Sequence, residues 1–161
     1  MTVRDAGAVG TQLFEGTGKI SGEGPVSVFL VDDHPIALAG MRAVLGACGA
    51  VEVVSEASSG REALDRIDVD ATDVVLMDIL LGDANGVDVA RALKAEHPSL
   101  GVLLVSAVGQ EYVHAAIDDA DGLILKTAPV DELVRAIITV QKGKPALDRR
   151  LWASLFEGDS V

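Results

Sequence analysis

VSVFLVDDHPIALAGMRAVLGAC, Val26 to Cys48, carries the pattern that the rest of the chain repeats. Val26 to Val31 is a short apolar, β-branched run interrupted only by Ser27, as expected of a strand buried on both faces. Asp32 and Asp33 follow, and then Pro35, which suits a first helical turn because its missing N–H costs nothing there. Beyond it Ile36, Met41, Val44, Leu45 and Cys48 fall on a helical stripe expected to face a core. Two adjacent carboxylates at the end of a buried strand repel each other and lose hydration, so some other group must compensate them.

The strand-then-helix unit recurs toward the C-terminus. VEVVSEA precedes GREALDRI, DVVLM precedes GVDVARALKAEH, GVLLVSA precedes EYVHAAIDDA, and GLILK precedes VDELVRAIITVQKG. Five apolar strands alternating with five helices predict an α/β fold: a doubly wound parallel sheet with helices on both faces. Right-handed crossovers make the flavodoxin-like strand order 2-1-3-4-5 the expected solution for about a hundred residues. Residues 1–24, rich in Gly, Ala and Thr, read as a flexible extension, 25–143 as the folded domain and 144–161 as a short tail. In the extension, GTGK fails the spacing of a phosphate-binding loop. The tail can form one short helix with Leu151, Trp152, Leu155 and Phe156 on its apolar face, packing on the domain, fraying, or binding a partner.

Composition narrows the function. The 161 residues are 49% hydrophobic but only 3% aromatic, so the core must be aliphatic. With 25 acidic against 13 basic residues the formal net charge is −12, which disfavours binding to DNA or anionic lipid. Cys48 is the only cysteine, which excludes an intrachain disulfide and suits a reducing interior. No run is long enough to span a membrane and no signal peptide is evident, so a cytoplasmic location is expected.

A doubly wound sheet places its ligand site outside the carboxyl ends of its strands. Those ends carry Asp32 and Asp33, Asp78, Ser106 and Lys126. Each alone has an ordinary reading: a helix cap for Asp33, a turn for Asp78, a solvated charge for Lys126, a strand-end residue for Ser106. Their joint convergence is far less ordinary. Three carboxylates call for a hard cation, and Mg²⁺ prefers such oxygens and often shares its shell with a phosphate. Lys126 can neutralise and contact a phosphoryl oxygen, and the Ser106 hydroxyl can donate to another, so the set suits phosphoryl transfer. His34, His97 and His114 share no spacing and read as surface or capping residues.

These positions, with the surrounding LMDILLGDANG, LLVSA and GLILK, resemble the receiver domain of response regulators in two-component signalling, over roughly Val26 to Gly143. DDHP and KTAPVDELVRAI resemble especially the subgroup with a helix-turn-helix DNA-binding output. The resemblance implies that Asp78 accepts a phosphoryl group from a sensor histidine kinase or phosphotransfer protein. It further implies Mg²⁺ held by Asp33, Asp78 and the Leu80 backbone carbonyl, with Asp32 acting through water. Lys126 would pair with the acyl phosphate, Ser106 would move toward it, and the changed surface would engage a downstream protein, with a homodimer left open. Such a protein is a phosphoacceptor with at most slow autophosphatase activity rather than a turnover enzyme. Too little chain follows Gly143 for a helix-turn-helix, so direct DNA binding is not expected. The alternative is a pseudo-receiver: a docking or dimerisation module independent of phosphorylation.

Departures from the family pattern sharpen that alternative. Leu81 and Gly82 replace the usual Met-Pro, which predicts a more mobile loop with retained Mg²⁺ binding, and Asp83 adds a charge near the site. Leu123 stands where many receivers carry a Tyr or Phe that rotates during switching. Ala107 leaves room for a phosphoryl donor. Asp119 replaces a common glycine and would cost about 1 kcal/mol if its backbone were left-handed.

Overall fold

The computed structural model describes residues 24–107 and 110–157. The extension therefore lies outside the described residues, apart from Gly24. Strands β1 (Val26–Val31), β2 (Val51–Ala57), β3 (Val74–Asp78), β4 (Gly101–Ser106) and β5 (Gly122–Leu125) alternate with helices α1 (Pro35–Gly46), α2 (Gly60–Arg66), α3 (Gly86–Glu96), α4 (Val113–Asp119) and α5 (Val130–Gln141). All strand pairs are parallel, and the order is 2-1-3-4-5 with a sixth strand, β6 (Ala146–Leu147), added beside β5.

The strands divide their side chains between two apolar layers, as period-two alternation requires. Phe29, Val31, Val75, Met77, Leu104 and Leu123 face α2, α3 and α4, whereas Val28, Leu30, Leu76, Leu103, Val105 and Ile124 face α1 and α5. Each fully buried Leu of this aliphatic core contributes about 1.5–3 kcal/mol before chain entropy is counted. Burial on both faces is what makes the central strands read as continuous apolar runs.

Two expectations need correction. The stripe on α1 is misplaced: Ile36 is 88% exposed and Val44 is also exposed, while Leu38 and Leu45 are buried with Met41 packed beside them. Spacings of three and four along 38, 41 and 45 define the real inner face, and nearly every position of α1 is apolar or small, so periodicity could not single it out. The sheet also has six strands, because the stretch read as a tail returns to it. Gly143, at φ +81°, ends α5 with its N–H on the Val140 carbonyl while Lys144 N–H bonds Thr139, a Schellman closure that reverses the chain into β6. Gly122 admits β6, since a Cβ there would overlap the Ala146 carbonyl oxygen. A two-residue strand leaves no periodic signal in a sequence.

The tail continues through a 3₁₀ turn, Arg149–Leu151, into a short helix α6 (Ser154–Glu157). Leu151 is buried in the layer that holds Leu123, with Leu147 and Leu155 packed against it. Asp119 is helical and pairs with Arg91 across α3 and α4 at 3.0 Å, and no described non-glycine residue has positive φ, so the anticipated strain is absent. No helix among the described residues is long and apolar enough to cross a membrane.

Candidate functional site

Parallel packing brings the carboxyl ends of β1, β3, β4 and β5 to one edge, and the selected residues arrive with them. Asp32 immediately follows β1, Asp78 and Ser106 are the last residues of β3 and β4, and Lys126 immediately follows β5. The Lys126 ammonium donates to Asp32 Oδ2 at 2.8 Å and to Asp78 Oδ2 at 3.2 Å, joining residues 94 and 48 positions away. Lys126 N–H donates to the Ser106 carbonyl at 2.8 Å, which fixes the lysine backbone against β4. Asp32, Asp78 and Ser106 are 5%, 4% and 1% exposed.

The backbone around the acids is held from several sides. His34 N–H donates to Asp32 Oδ1 at 2.9 Å as the chain turns into α1, and Asp32 N–H bonds the Ala57 carbonyl on β2. After β3, Leu80 N–H approaches Asp78 Oδ1 at 3.4 Å, and Leu80 bridges to Asn85. Asn85 caps α3 by accepting from Val87 N–H at 2.8 Å. Gly86 is obligatory because a Cβ would overlap the Asp78 carbonyl oxygen. Leu80 thus sits on the rim of the cluster, two residues beyond Asp78.

The electrostatics are unbalanced. Asp32, Asp33 and Asp78 can each present an oxygen within 4.8 Å of the others, and one ammonium bonds two of the three. Burial pushes the Asp78 carboxyl up and the Asp32 charge adds to this, with Lys126 only partly offsetting them. For Asp32 burial also acts upward, but the Lys126 bond and the His34 N–H outweigh it and hold the group below the usual carboxylate range. Burial acts against the Lys126 charge, yet its two carboxylate partners raise it above an ordinary lysine. Lys126 is therefore committed chiefly to Asp32, and Asp78 bears the cost.

Asp33 completes the donor set. Its Oδ1 is buried and makes no hydrogen bond among the described residues: His34 Nδ1 lies 2.9 Å away but directs its bond to Asp32 Oδ1, at 3.1 Å. An orphaned carboxylate oxygen beside two more carboxylates fits a hard divalent cation such as Mg²⁺. His34, read from sequence as a surface residue, is 66% exposed yet lies against both acids. Its place between Asp33 and Pro35 was the available signal. His97 closes the C-terminus of α3, away from the cluster.

The loop departures have structural answers. Asp83 turns away from the cluster and accepts from Gly60 and Arg61 N–H at 2.9 and 3.1 Å, capping α2. Those bonds hold its carboxyl below the usual range. They also tether the loop expected to be mobile, a long-range contact that local composition does not reveal. Gly82 has no positive φ; it matters because a Cβ would lie 3.2 Å from Asp33 Oδ2. Ala107 is exposed beside buried Ser106.

Known proteins place this arrangement in a wider group. The DNA-binding transcriptional activator DevR/DosR of Mycobacterium tuberculosis is 36% identical over 132 residues, covering 81% of this chain. The chain spans 61% of that relative's length. A LuxR family two-component response regulator from Aurantimonas sp. SI85-9A1 superposes with a TM-score of 0.78 at 26% identity, covering 85% of this chain and 99% of that one. The isolated REC domain of RcsB from Salmonella enterica serovar Typhimurium, solved with the phosphomimetic BeF3−, superposes with a TM-score of 0.71 at 26% identity over 81% and 98% of the two chains. The family pattern described as response regulator receiver domain spans residues 28–138, from the first strand through most of α5. An acidic cluster tied to a lysine at the carboxyl edge of a 2-1-3-4-5 sheet is what that span encloses, and the chain belongs to the response regulator receiver domain family.

Proposed function

We propose that this chain is a phosphoacceptor of a two-component phosphorelay, with Asp78 receiving the phosphoryl group from a histidine kinase or phosphotransfer protein. The observation that carries the reading is Asp78 Oδ2 set 3.2 Å from Lys126 Nζ, beside the orphaned oxygen of Asp33. A carboxylate oxygen of Asp78 attacks phosphorus, the phosphorus–nitrogen bond of the donor phosphohistidine breaks, and the imidazole leaves with the bonding electron pair. Asp33, Asp78 and the Leu80 carbonyl would hold Mg²⁺, with Asp32 acting through water; the ion supplies charge neutralisation for the transferring group. Lys126 remains protonated and re-pairs from carboxylate to phosphoryl oxygen. Ser106, at the end of β4, donates its hydroxyl to another phosphoryl oxygen, and exposed Ala107 leaves the approach open.

Replacing one carboxylate charge with a dianion shifts the balance of contacts at β4 and β5, and the altered surface engages a downstream protein. The shift cannot exceed the free energy of those differential contacts. Treatment with acetyl phosphate and Mg²⁺ should add the mass of one phosphoryl group to the wild type and none to Asp78→Asn. Absence of Mg²⁺-dependent modification in the wild type defeats the reading.

One observation favours a second reading, a docking module that works without phosphorylation. Leu123 is fully buried and shares its layer with Leu147 and Leu151, so no aromatic there can report the site. In that case Asp78→Asn leaves partner binding unaltered, whereas the phosphoacceptor reading requires that regulation be lost.

A further inference from the structure

The segment after α5 is seated on β5 by contacts that end one residue from the site lysine. Gly122 makes room for Ala146. Asp148, 2% exposed, donates its N–H to the Leu123 carbonyl at 2.8 Å and accepts Leu125 N–H on Oδ2 at 3.1 Å. Its Oδ1 takes Arg150 N–H and guanidinium, each at 3.0 Å, and the same guanidinium reaches Glu132 on α5 at 2.8 Å. Trp152 Nε1 closes back on the Leu147 carbonyl at 3.1 Å. A buried carboxylate that satisfies a β5 amide from outside the sheet is a specific attachment rather than casual packing.

The next residue, Lys126, is pulled the other way. In the order β1-β3-β4-β5-β6, Asp148 bonds β5 from its outer edge, while Lys126 reaches inward past β4 to Asp32 and Asp78. Leu125 and Lys126 therefore share one stretch of backbone between two opposed attachments. Gly143, in the left-handed region, supplies a hinge at the root of the segment.

We infer that residues Ala146–Phe156 form a strap, anchored on β5 through Ala146–Asp148 and laid over α5 and α4 beyond, that is released when Lys126 closes on a phosphoryl group at Asp78. The inference rests on the phosphoacceptor reading. Inward movement of Lys126 draws Leu125 N–H away from Asp148, and release uncovers the β5 edge together with Leu151, which is buried in the layer that holds Leu123. The coupling is reciprocal: whatever loosens the strap must raise affinity for the phosphoryl group.

Hydrogen exchange read by mass spectrometry on the full chain with Mg²⁺, with and without beryllofluoride, tests this. Beryllofluoride should speed exchange across 146–156 and at Leu125 by about tenfold while leaving α1 unchanged. Arg150→Ala, and independently Asp148→Asn, should open the segment and lower the beryllofluoride midpoint, by no more than the factor by which beryllofluoride opens the wild-type segment. Protection around Lys126 with unchanged or slower exchange over 146–156 overturns the strap alone. So does a variant that opens the segment without moving the midpoint. No beryllofluoride response around Asp78 and Lys126 overturns the phosphoacceptor reading and the strap together.

Discussion

Asp78→Asn should stabilise the fold when no divalent cation is present. The Asp78 carboxylate lies 3.2 Å from Lys126 Nζ, an attraction of about 5 kcal/mol at an effective dielectric constant of 20. Asp32 and Asp33 each offer an oxygen within 4.8 Å; on the same basis Asp32 repels it by about 3.5 kcal/mol, and Asp33, more exposed and more screened, by about half that. The pair terms nearly cancel, which leaves the desolvation of a carboxylate that is 4% exposed as the net cost. Lys126 keeps its 2.8 Å bond to Asp32 and is not orphaned. A gain of about 2 kcal/mol at neutral pH follows, the order of the desolvation cost that the neutral amide avoids.

The same substitution has a pH signature. Because the folded-state pKa of Asp78 is raised, the native chain holds that proton more tightly than the unfolded chain, and wild-type stability falls as pH rises through the raised value. The gap between variant and wild type should be absent below the ordinary aspartate range and complete above the raised value. Mg²⁺ at about a hundredfold its dissociation constant adds about 2.7 kcal/mol to the wild type and should erase the gap. Urea unfolding followed by circular dichroism, in EDTA and in Mg²⁺, measures all three effects. A variant less stable than wild type in EDTA, or a gap indifferent to Mg²⁺, would refute the charge accounting.

Asp148→Ala should lower stability by about 2–3 kcal/mol by stranding Leu125 N–H. Burial acts upward on the Asp148 carboxyl, but bonds from Arg150 and Leu125 hold it low, so its stabilisation is present above the usual carboxylate range and fades as pH falls; urea midpoints across pH follow it. Gly86→Ala forces a Cβ onto the Asp78 carbonyl and should cost about 3 kcal/mol, the top of the overpacking range, with weakened Mg²⁺ binding by titration calorimetry. Asp83→Ala strips the Gly60 and Arg61 N–H groups of their acceptor, though Ser59 still caps α2, and should lower the urea midpoint while leaving Mg²⁺ affinity intact, which separates it from the acidic cluster. Leu123→Phe, at a fully buried position already packed by the C-terminal segment, should cost about 1–3 kcal/mol in thermal or urea unfolding.

Several features were legible because a local rule determines them. Val26–Val31, interrupted only by Ser27, and Val74–Met77 announce themselves as strands by short apolar runs, and the five strand–helix units appear in the sheet order expected of right-handed crossovers. The grouping of Asp32, Asp33, Asp78, Ser106 and Lys126 followed from the same topology, since residues at equivalent strand ends must share an edge. The inner face of α1 was not legible, because Ile36, Ala37, Val44 and Leu45 are all apolar and only packing against β2, with α5 alongside, decides which of them is covered.

What the sequence by itself determined is the repeat of elements and the inventory of groups at one sheet edge, because hydrophobic period and crossover handedness act over short stretches of chain. Tertiary structure alone decided how those groups share their charges: Lys126 committed chiefly to Asp32, Asp78 left dear to ionise, Asp33 with a buried oxygen that makes no hydrogen bond among the described residues, and Asp83 diverted to α2. It also decided that Ala146–Leu147 joins the sheet and that Asp148 binds Leu125 beside the site lysine. Contacts of 2.8 to 3.2 Å between residues far apart in the chain set these outcomes, and no local pattern encodes them.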